Sequence, residues 1–234
     1  DKSLSYLAPI FFEKGRKWIF YGTNCKISKF KGDGKMKFIT LSNGVKMPIL
    51  GYGTFTMSND ETERCVTEAI QVGYRLIDTA QAYRNEEGVG NAIVKCGVSR
   101  EELFITTKIW VENAGYEKAK RSLEESLKKL QTEYIDLVLI HQAFNDYYGT
   151  WKALEEAYKS GKVRAIGVSN FYPNILTNFC EIVKVKPVVN QVELHPYYTQ
   201  EKALETMKYY NVVPEAWAPL GGGRYNPFED EMLK

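Results

Sequence analysis

The chain has 234 residues, 44% hydrophobic and 26% charged, with a formal net charge of +2. That length and apolar content fit one large domain with a sizeable core, and no apolar run approaches a membrane span. Two histidines exclude a multi-histidine metal site, and no metal is expected. In chain order, Pro48–Phe55 reads as a strand and Glu61–Val72 as a helix, with Val66, Ala69 and Ile70 at helical spacing. Arg75–Ala80 is a second strand, followed by a helix near Glu86–Lys95. Leu103–Trp110 is a third strand, followed by a helix near Lys118–Leu130. Tyr134–His141 is a fourth, with a helix near Thr150–Lys159 closed by Gly161. Val163–Asn170 is a fifth, then a helix over Pro173–Val183. Pro187–His195 is a sixth, then a helix over Gln200–Tyr210, and Val212–Leu220 is a seventh strand.

The strand runs are mostly continuous and apolar, as strands covered on both faces should be. Seven strand–helix alternations predict a parallel α/β architecture, either a (β/α)8 TIM barrel or a doubly wound sheet. Four polar residues favour the barrel. Asp78 and Tyr83 lie at or just past the C-terminal end of the run Tyr74–Thr79, Lys108 past Leu103–Thr107 and His141 past Tyr134–Ile140. In a parallel barrel those ends converge on one face, where chemistry is placed. An acid, a phenol, an amine and an imidazole gathered there make a proton-transfer site. Taken singly, the Asp–Lys pair reads as a buried ion pair, the Tyr as packing and the His as a satisfied hydrogen-bonder.

Several segments, in order, resemble the aldo-keto reductases, in particular the bacterial-type branch that includes 2,5-diketo-gluconate reductases. They span roughly Met36 to Leu220. Phe38–Gly53 (FITLSNGVKMPILGYG) resembles that family's N-terminal hairpin and first strand. Gly73–Ile93 (GYRLIDTAQAYRNEEGVGNAI) resembles the segment carrying its Asp and Tyr. ITTKIW (Ile105–Trp110) resembles the Lys segment, and LVLIHQAF (Leu137–Phe144) the His segment. IGVSNF, NQVELHP and EAWAPLGGGR resemble its nicotinamide-side segments.

The resemblance implies an NADPH-dependent reductase of aldehydes, ketones or keto sugars. Tyr83 would be the general acid, Lys108 the ammonium that lowers its pKa, Asp78 the carboxylate that holds Lys108, and His141 the group that orients the substrate carbonyl. Ser169, Asn170 and Gln191 would hold the nicotinamide amide, with Trp217 beneath its ring. Gly53, Thr54 and Asp78 would border the cofactor, and Ala218, Pro219, Leu220 and Gly221 would follow its pyrophosphate. Phe55, Trp110 and His141 would line the substrate mouth. The G-x-G-x-x-G pattern of a Rossmann fold does not occur. A non-catalytic, cofactor-binding or remnant member of the family, inactive through truncation, is the alternative.

Residues 1–35 hold eight Lys/Arg against three Asp/Glu, while the remainder leans acidic. Met36 and the following KFITLSNG read as the natural start of the barrel, so residues 1–35 are expected to be foreign to it and 36–234 to be the domain. A barrel also needs an eighth strand and its helices, so the chain reads as incomplete at its C-terminus. In the family, that portion carries the basic residues for the cofactor 2′-phosphate. Cys25, Cys65, Cys96 and Cys180 lack metal spacing and read as reduced thiols. A cytoplasmic monomer with a small carbonyl substrate is expected, with neither nucleic acid nor membrane as partner.

Overall fold

The computed structural model describes residues 36–224 and 227–233. The reading of residues 1–35 lies outside them, as does Cys25. Strands β1 (Phe38–Thr40) and β2 (Lys46–Pro48) pair as an antiparallel hairpin. Its turn is closed by Gly44 at φ +86°, a conformation with no steric penalty for glycine.

Seven strands then form one parallel sheet in chain order. They are β3 (Gly51–Gly53), β4 (Leu76–Asp78), β5 (Phe104–Ile109), β6 (Leu137–Ile140), β7 (Ile166–Ser169), β8 (Val189–Glu193) and β9 (Val213–Trp217). The intervening helices are α1 (Asn59–Gln71), α2 (Glu86–Lys95), α3 (Tyr116–Lys129), α4 (Tyr147–Lys159), α5 (Pro173–Ile182) and α6 (Glu201–Tyr209). The sheet curls into the wall of a (β/α)8 barrel through its seventh strand. Among the described residues β3 and β9 each pair on one side only.

Helix starts differ from the sequence reading because capping, not hydrophobic spacing, sets them. The α1 helix begins earlier, where the Ser58 side chain accepts from the Glu61 amide and Glu61 reaches back to the Ser58 amide. Likewise α4 begins at Tyr147, because Asp146 Oδ1 accepts from the Gly149 amide at 2.8 Å. The α3 helix starts at Tyr116 after Gly115 at φ +98°. Pro48 closes the hairpin, so the first parallel strand is shorter than Pro48–Phe55.

Two apolar layers hold the wall. The larger lies between sheet and helices, with Ile77, Ile105, Val138 and Val168 against Val66, Leu123, Leu154 and Phe179. The smaller fills the barrel interior: Leu76, Phe104, Leu137, Leu139 and Val189 pack with Leu41 and Met47 from the hairpin. The hairpin thereby stoppers the N-terminal end of the strands, and the polar residues collect at the other end. On the outer face α2 is clamped between its neighbours. A Cβ on Gly90 would stand 2.2 Å from the Lys129 carbonyl oxygen, so only glycine allows that approach. Asp136, fully buried, ties β5 and β6 by accepting from the Ile105 amide and pairing with Arg100 at 2.8 Å and Arg164 at 2.7 Å. Cys96 and Cys180 are free thiols, as expected. No described helix is long and apolar enough to cross a membrane.

Candidate active site

The C-terminal ends of the strands surround a cavity of about 550 Å³. Eleven of the residues expected from sequence line it: Gly53, Phe55, Asp78, Tyr83, Trp110, His141, Ser169, Asn170, Gln191, Trp217 and Ala218. Ala82, Gln142 and Arg224 join them. Lys108 lies beneath the floor, fully buried. Four expected cofactor residues are not in the lining: Thr54, Pro219, Leu220 and Gly221. For Thr54 the reason is plain. Its side chain is buried, and its hydroxyl faces the Asn85 Oδ1 at 3.2 Å and the Asp78 carbonyl at 3.3 Å. Pro219 and Gly221 are buried in the turn that follows β9.

Asn85 is a structural anchor that the sequence reading passed over. Its Nδ2 donates to the carbonyls of Thr54 at 2.7 Å and Met57 at 3.0 Å. Its Oδ1 accepts from the Thr79 hydroxyl at 2.9 Å. One amide therefore joins the loop after β3 to the segment after β4. That segment carries a 3₁₀ turn, Gln81–Tyr83, and Arg84 in the left-handed region at φ 57°. Gln81 braces the turn, its Oε1 accepting from the Trp110 amide at 3.0 Å. Tyr83 is thereby aimed back over the strand ends.

The floor is an ion pair. Lys108 Nζ stands 2.5 Å from Asp78 Oδ1 and donates to the Thr79 carbonyl at 3.1 Å. It also donates to the Tyr83 hydroxyl oxygen at 3.3 Å. Since that oxygen accepts from Lys108, its own O–H is left to donate into the cavity. Burial raises the Tyr83 pKa, the Lys108 ammonium opposes the rise, and Asp78 adds to it. Lys108 pulls the phenol down, the sign expected, but burial outweighs it. Burial also works against the Lys108 ammonium, yet Asp78 and Tyr83 together hold its pKa above the ordinary lysine value.

His141 lies edge-on to two rings, 5.7 Å from Tyr83 and 5.0 Å from Trp110 between centroids. Burial, with the Lys108 charge beside it, pushes its pKa down to about 3, so the imidazole is neutral. Its Nδ1 is buried without a hydrogen-bond partner among the described residues, which leaves Nε2 to address the cavity.

The opposite wall is one hydrogen-bonded chain. The Trp217 indole N–H donates to Asn170 Oδ1 at 2.9 Å. Asn170 Nδ2 donates to the His141 carbonyl and to Ser169 Oγ, both at 3.1 Å. Ser169 Oγ donates to the Gln191 carbonyl at 2.9 Å, and Gln191 Nε2 to Asp78 Oδ2 at 2.9 Å. Asn170 and Ala218 both hold left-handed backbone, at φ 59° and 50°. Such strain persists only where the surroundings over-determine it. Arg224 reaches the cavity and pairs with Glu193 of β8.

Comparisons with known proteins bear on the family and the fold. The profile described as "Aldo/keto reductase family" matches residues 49–234. The glyoxal reductase of Bacillus subtilis is 50% identical over 197 residues, covering 83% of this chain and 71% of that protein. The methylglyoxal reductase DkgA of Escherichia coli is 42% identical over 199 residues, covering 84% and 72%. The crystal structure of a Bombyx mori aldo-keto reductase in complex with NADP superposes with a TM-score of 0.74 at 37% identity, covering 78% of this chain and 66% of that one. This chain thus spans a little under three quarters of the two curated relatives. With the ordered strand-end residues gathered around one cavity and the profile matching across the barrel, the chain belongs to the aldo/keto reductase family.

Proposed function

We propose that this chain reduces small aldehydes and ketones to alcohols, with Tyr83 as general acid and NADPH as the hydride donor. The observation that carries the reading is the Asp78–Lys108–Tyr83 chain beneath a cavity faced by a neutral imidazole. NADPH, when bound, supplies the hydride, and reduction of a carbonyl then requires one proton from the protein. Tyr83 has its O–H free to give that proton, because Lys108 occupies one lone pair of its oxygen. As the proton leaves, the Lys108 ammonium stabilises the phenolate, and Asp78 keeps Lys108 charged and in place. Neutral His141 donates through Nε2 to the same carbonyl oxygen and sets its angle to Tyr83.

The residues present fit a nicotinamide. Asn170 Oδ1 retains a second lone pair beyond the one taken by Trp217, and Gln191 and Ser169 present polar groups on the same wall. The indole of Trp217 supplies a flat face, fixed by its bond to Asn170. Phe55 and Trp110 frame a compact apolar mouth, which suits short carbonyl compounds of the kind named for the relatives, glyoxal and methylglyoxal.

The test is NADPH oxidation with methylglyoxal and with 4-nitrobenzaldehyde, for the chain as it stands and for Tyr83→Phe. The substitution should lower kcat by at least ~10²-fold while NADPH affinity is retained. An unaltered kcat would remove Tyr83 from the mechanism. NADPH binding without turnover of any carbonyl would favour a non-catalytic, cofactor-binding role.

A further inference from the structure

Among the described residues, Glu215 is the one charged side chain buried at this end of the barrel that the mechanism above does not use. It sits on β9 in register with Gln191 on β8, and side chains paired in this way point to the same face of a sheet. Gln191 points inward, since its amide reaches Asp78 Oδ2 at 2.9 Å. Glu215 therefore projects into the interior beside the Asp78–Lys108 pair. It is fully buried, with the Gln191 amide as a nearby donor and neither carboxyl oxygen in a well-formed hydrogen bond among the described residues. A buried carboxyl held so weakly is costly, and a protein retains one only under constraint. The groups facing it are Asp78 from β4, Lys108 from β5, Tyr83 from the turn after β4, and the Gln191 amide. Strands β6 and β7 carry no titratable side chain, and Tyr52 of β3 packs against Tyr74 instead.

We propose that Glu215 is a positioning residue: a second interior carboxyl that, with Asp78, brackets Lys108 and sets how readily Tyr83 releases its proton. The proposal rests on the reading of Tyr83 as the general acid. Burial, with Asp78 nearby, pushes the Glu215 pKa up to about 8, opposed by Lys108 and the Gln191 amide. At neutral pH the carboxyl is mostly protonated and leaves the Asp78–Lys108 balance undisturbed. As pH rises it ionises before Tyr83. The new charge then raises the pKa of Tyr83 and strengthens the hold on the Lys108 proton. Glu215 thus keeps the general acid protonated into the alkaline range.

The experiment compares the full chain with Glu215→Gln, which keeps the shape and removes the ionisation. Carbonyl reduction is followed against pH, and phenolate formation is followed by ultraviolet difference absorbance with Tyr83→Phe as the blank. In Glu215→Gln the upper limb of the rate profile and the Tyr83 phenolate signal should both move to lower pH, by roughly half a unit or more. A folded variant with both unmoved overturns the proposal. The absorbance titration needs no turnover, so an inactive chain would count against the reductase reading and leave this one decidable. A second variant covers the case in which Glu215→Gln does not fold. Lys108→Met removes the positive charge that favours the carboxylate. The infrared carbonyl band of the protonated Glu215 should then persist to higher pH than in the parent. The band of Glu86, held by Thr107 on the far face of β5, is the internal control. If the Glu215 band titrates identically in both proteins, the carboxyl is not coupled to the tetrad.

Discussion

His141 ties the stability of the fold to the state of the site. In the folded chain its pKa is about 3, against an ordinary 6.5. Below the ordinary value, the unfolded chain takes up a proton that the folded one refuses. Stability from this residue is therefore complete above about pH 6.5 and is lost as pH falls toward about 3. At about pH 5 the unfolded imidazole lies ~1.5 units below its ordinary pKa, which corresponds to a loss of about 2 kcal/mol. For a chain of this size that lowers the midpoint of melting by about 4–8 °C. His141→Gln keeps a donor and has no titration. Between about pH 8 and about pH 5 the parent should lose that much more melting temperature than the variant. The assay is thermal unfolding of both proteins across the range, with NMR of the ring protons as the direct check. The sequence contains only two histidines, so the His141 resonance is readily assigned. Parallel pH curves for the two proteins, or a His141 resonance that titrates near its ordinary value, would refute the argument from burial.

Two further outcomes follow from the same geometry. Lys108→Met leaves Asp78 buried with Gln191 as its remaining side-chain donor. It should cost about 3–5 kcal/mol in urea unfolding, the usual penalty for breaking a buried pair from one side. A loss under about 1 kcal/mol would mean that Asp78 is rescued by water. Trp217→Ala removes the flat wall of the cavity and should weaken NADPH binding by roughly 1–3 kcal/mol, read by calorimetry. Undiminished affinity would place the nicotinamide elsewhere.

The tetrad was legible because its members stand where apolar runs stop, and a parallel barrel brings such stops together. Asp78, Lys108 and His141 needed only that rule. Tyr83 needed more, since its aim depends on the 3₁₀ turn and on Asn85, whose four contacts reach back across the chain. No local pattern announces that a particular Asn is the anchor. Glu215 was hidden for the opposite reason. In the run VVPEAWAPL it looks like an ordinary polar residue on a strand. Only the pairing with Gln191 places it inside, beside the Asp78–Lys108 pair. The net rise in the Tyr83 pKa was likewise out of reach, because it sets burial against charge and burial is a property of the assembled wall. Helix starts at Asn59 and Tyr147 were recoverable from Ser58–Glu61 and Asp146, where capping residues stand ahead of the first apolar position.

The Asn85 knot ties one side of the rim of the cavity together. Because one buried amide grips the Thr54, Met57 and Thr79 backbone or side chain, Phe55 and Tyr83 are carried on a single stiff plate. Their rings stand 5.0 Å apart. Across the cavity, Gly221, Gly222 and Gly223 all sit at positive φ just before Arg224, where any other residue would be strained. Replacing one of these glycines should therefore disturb the backbone that delivers Arg224, while Phe55 and Tyr83 remain joined through Asn85.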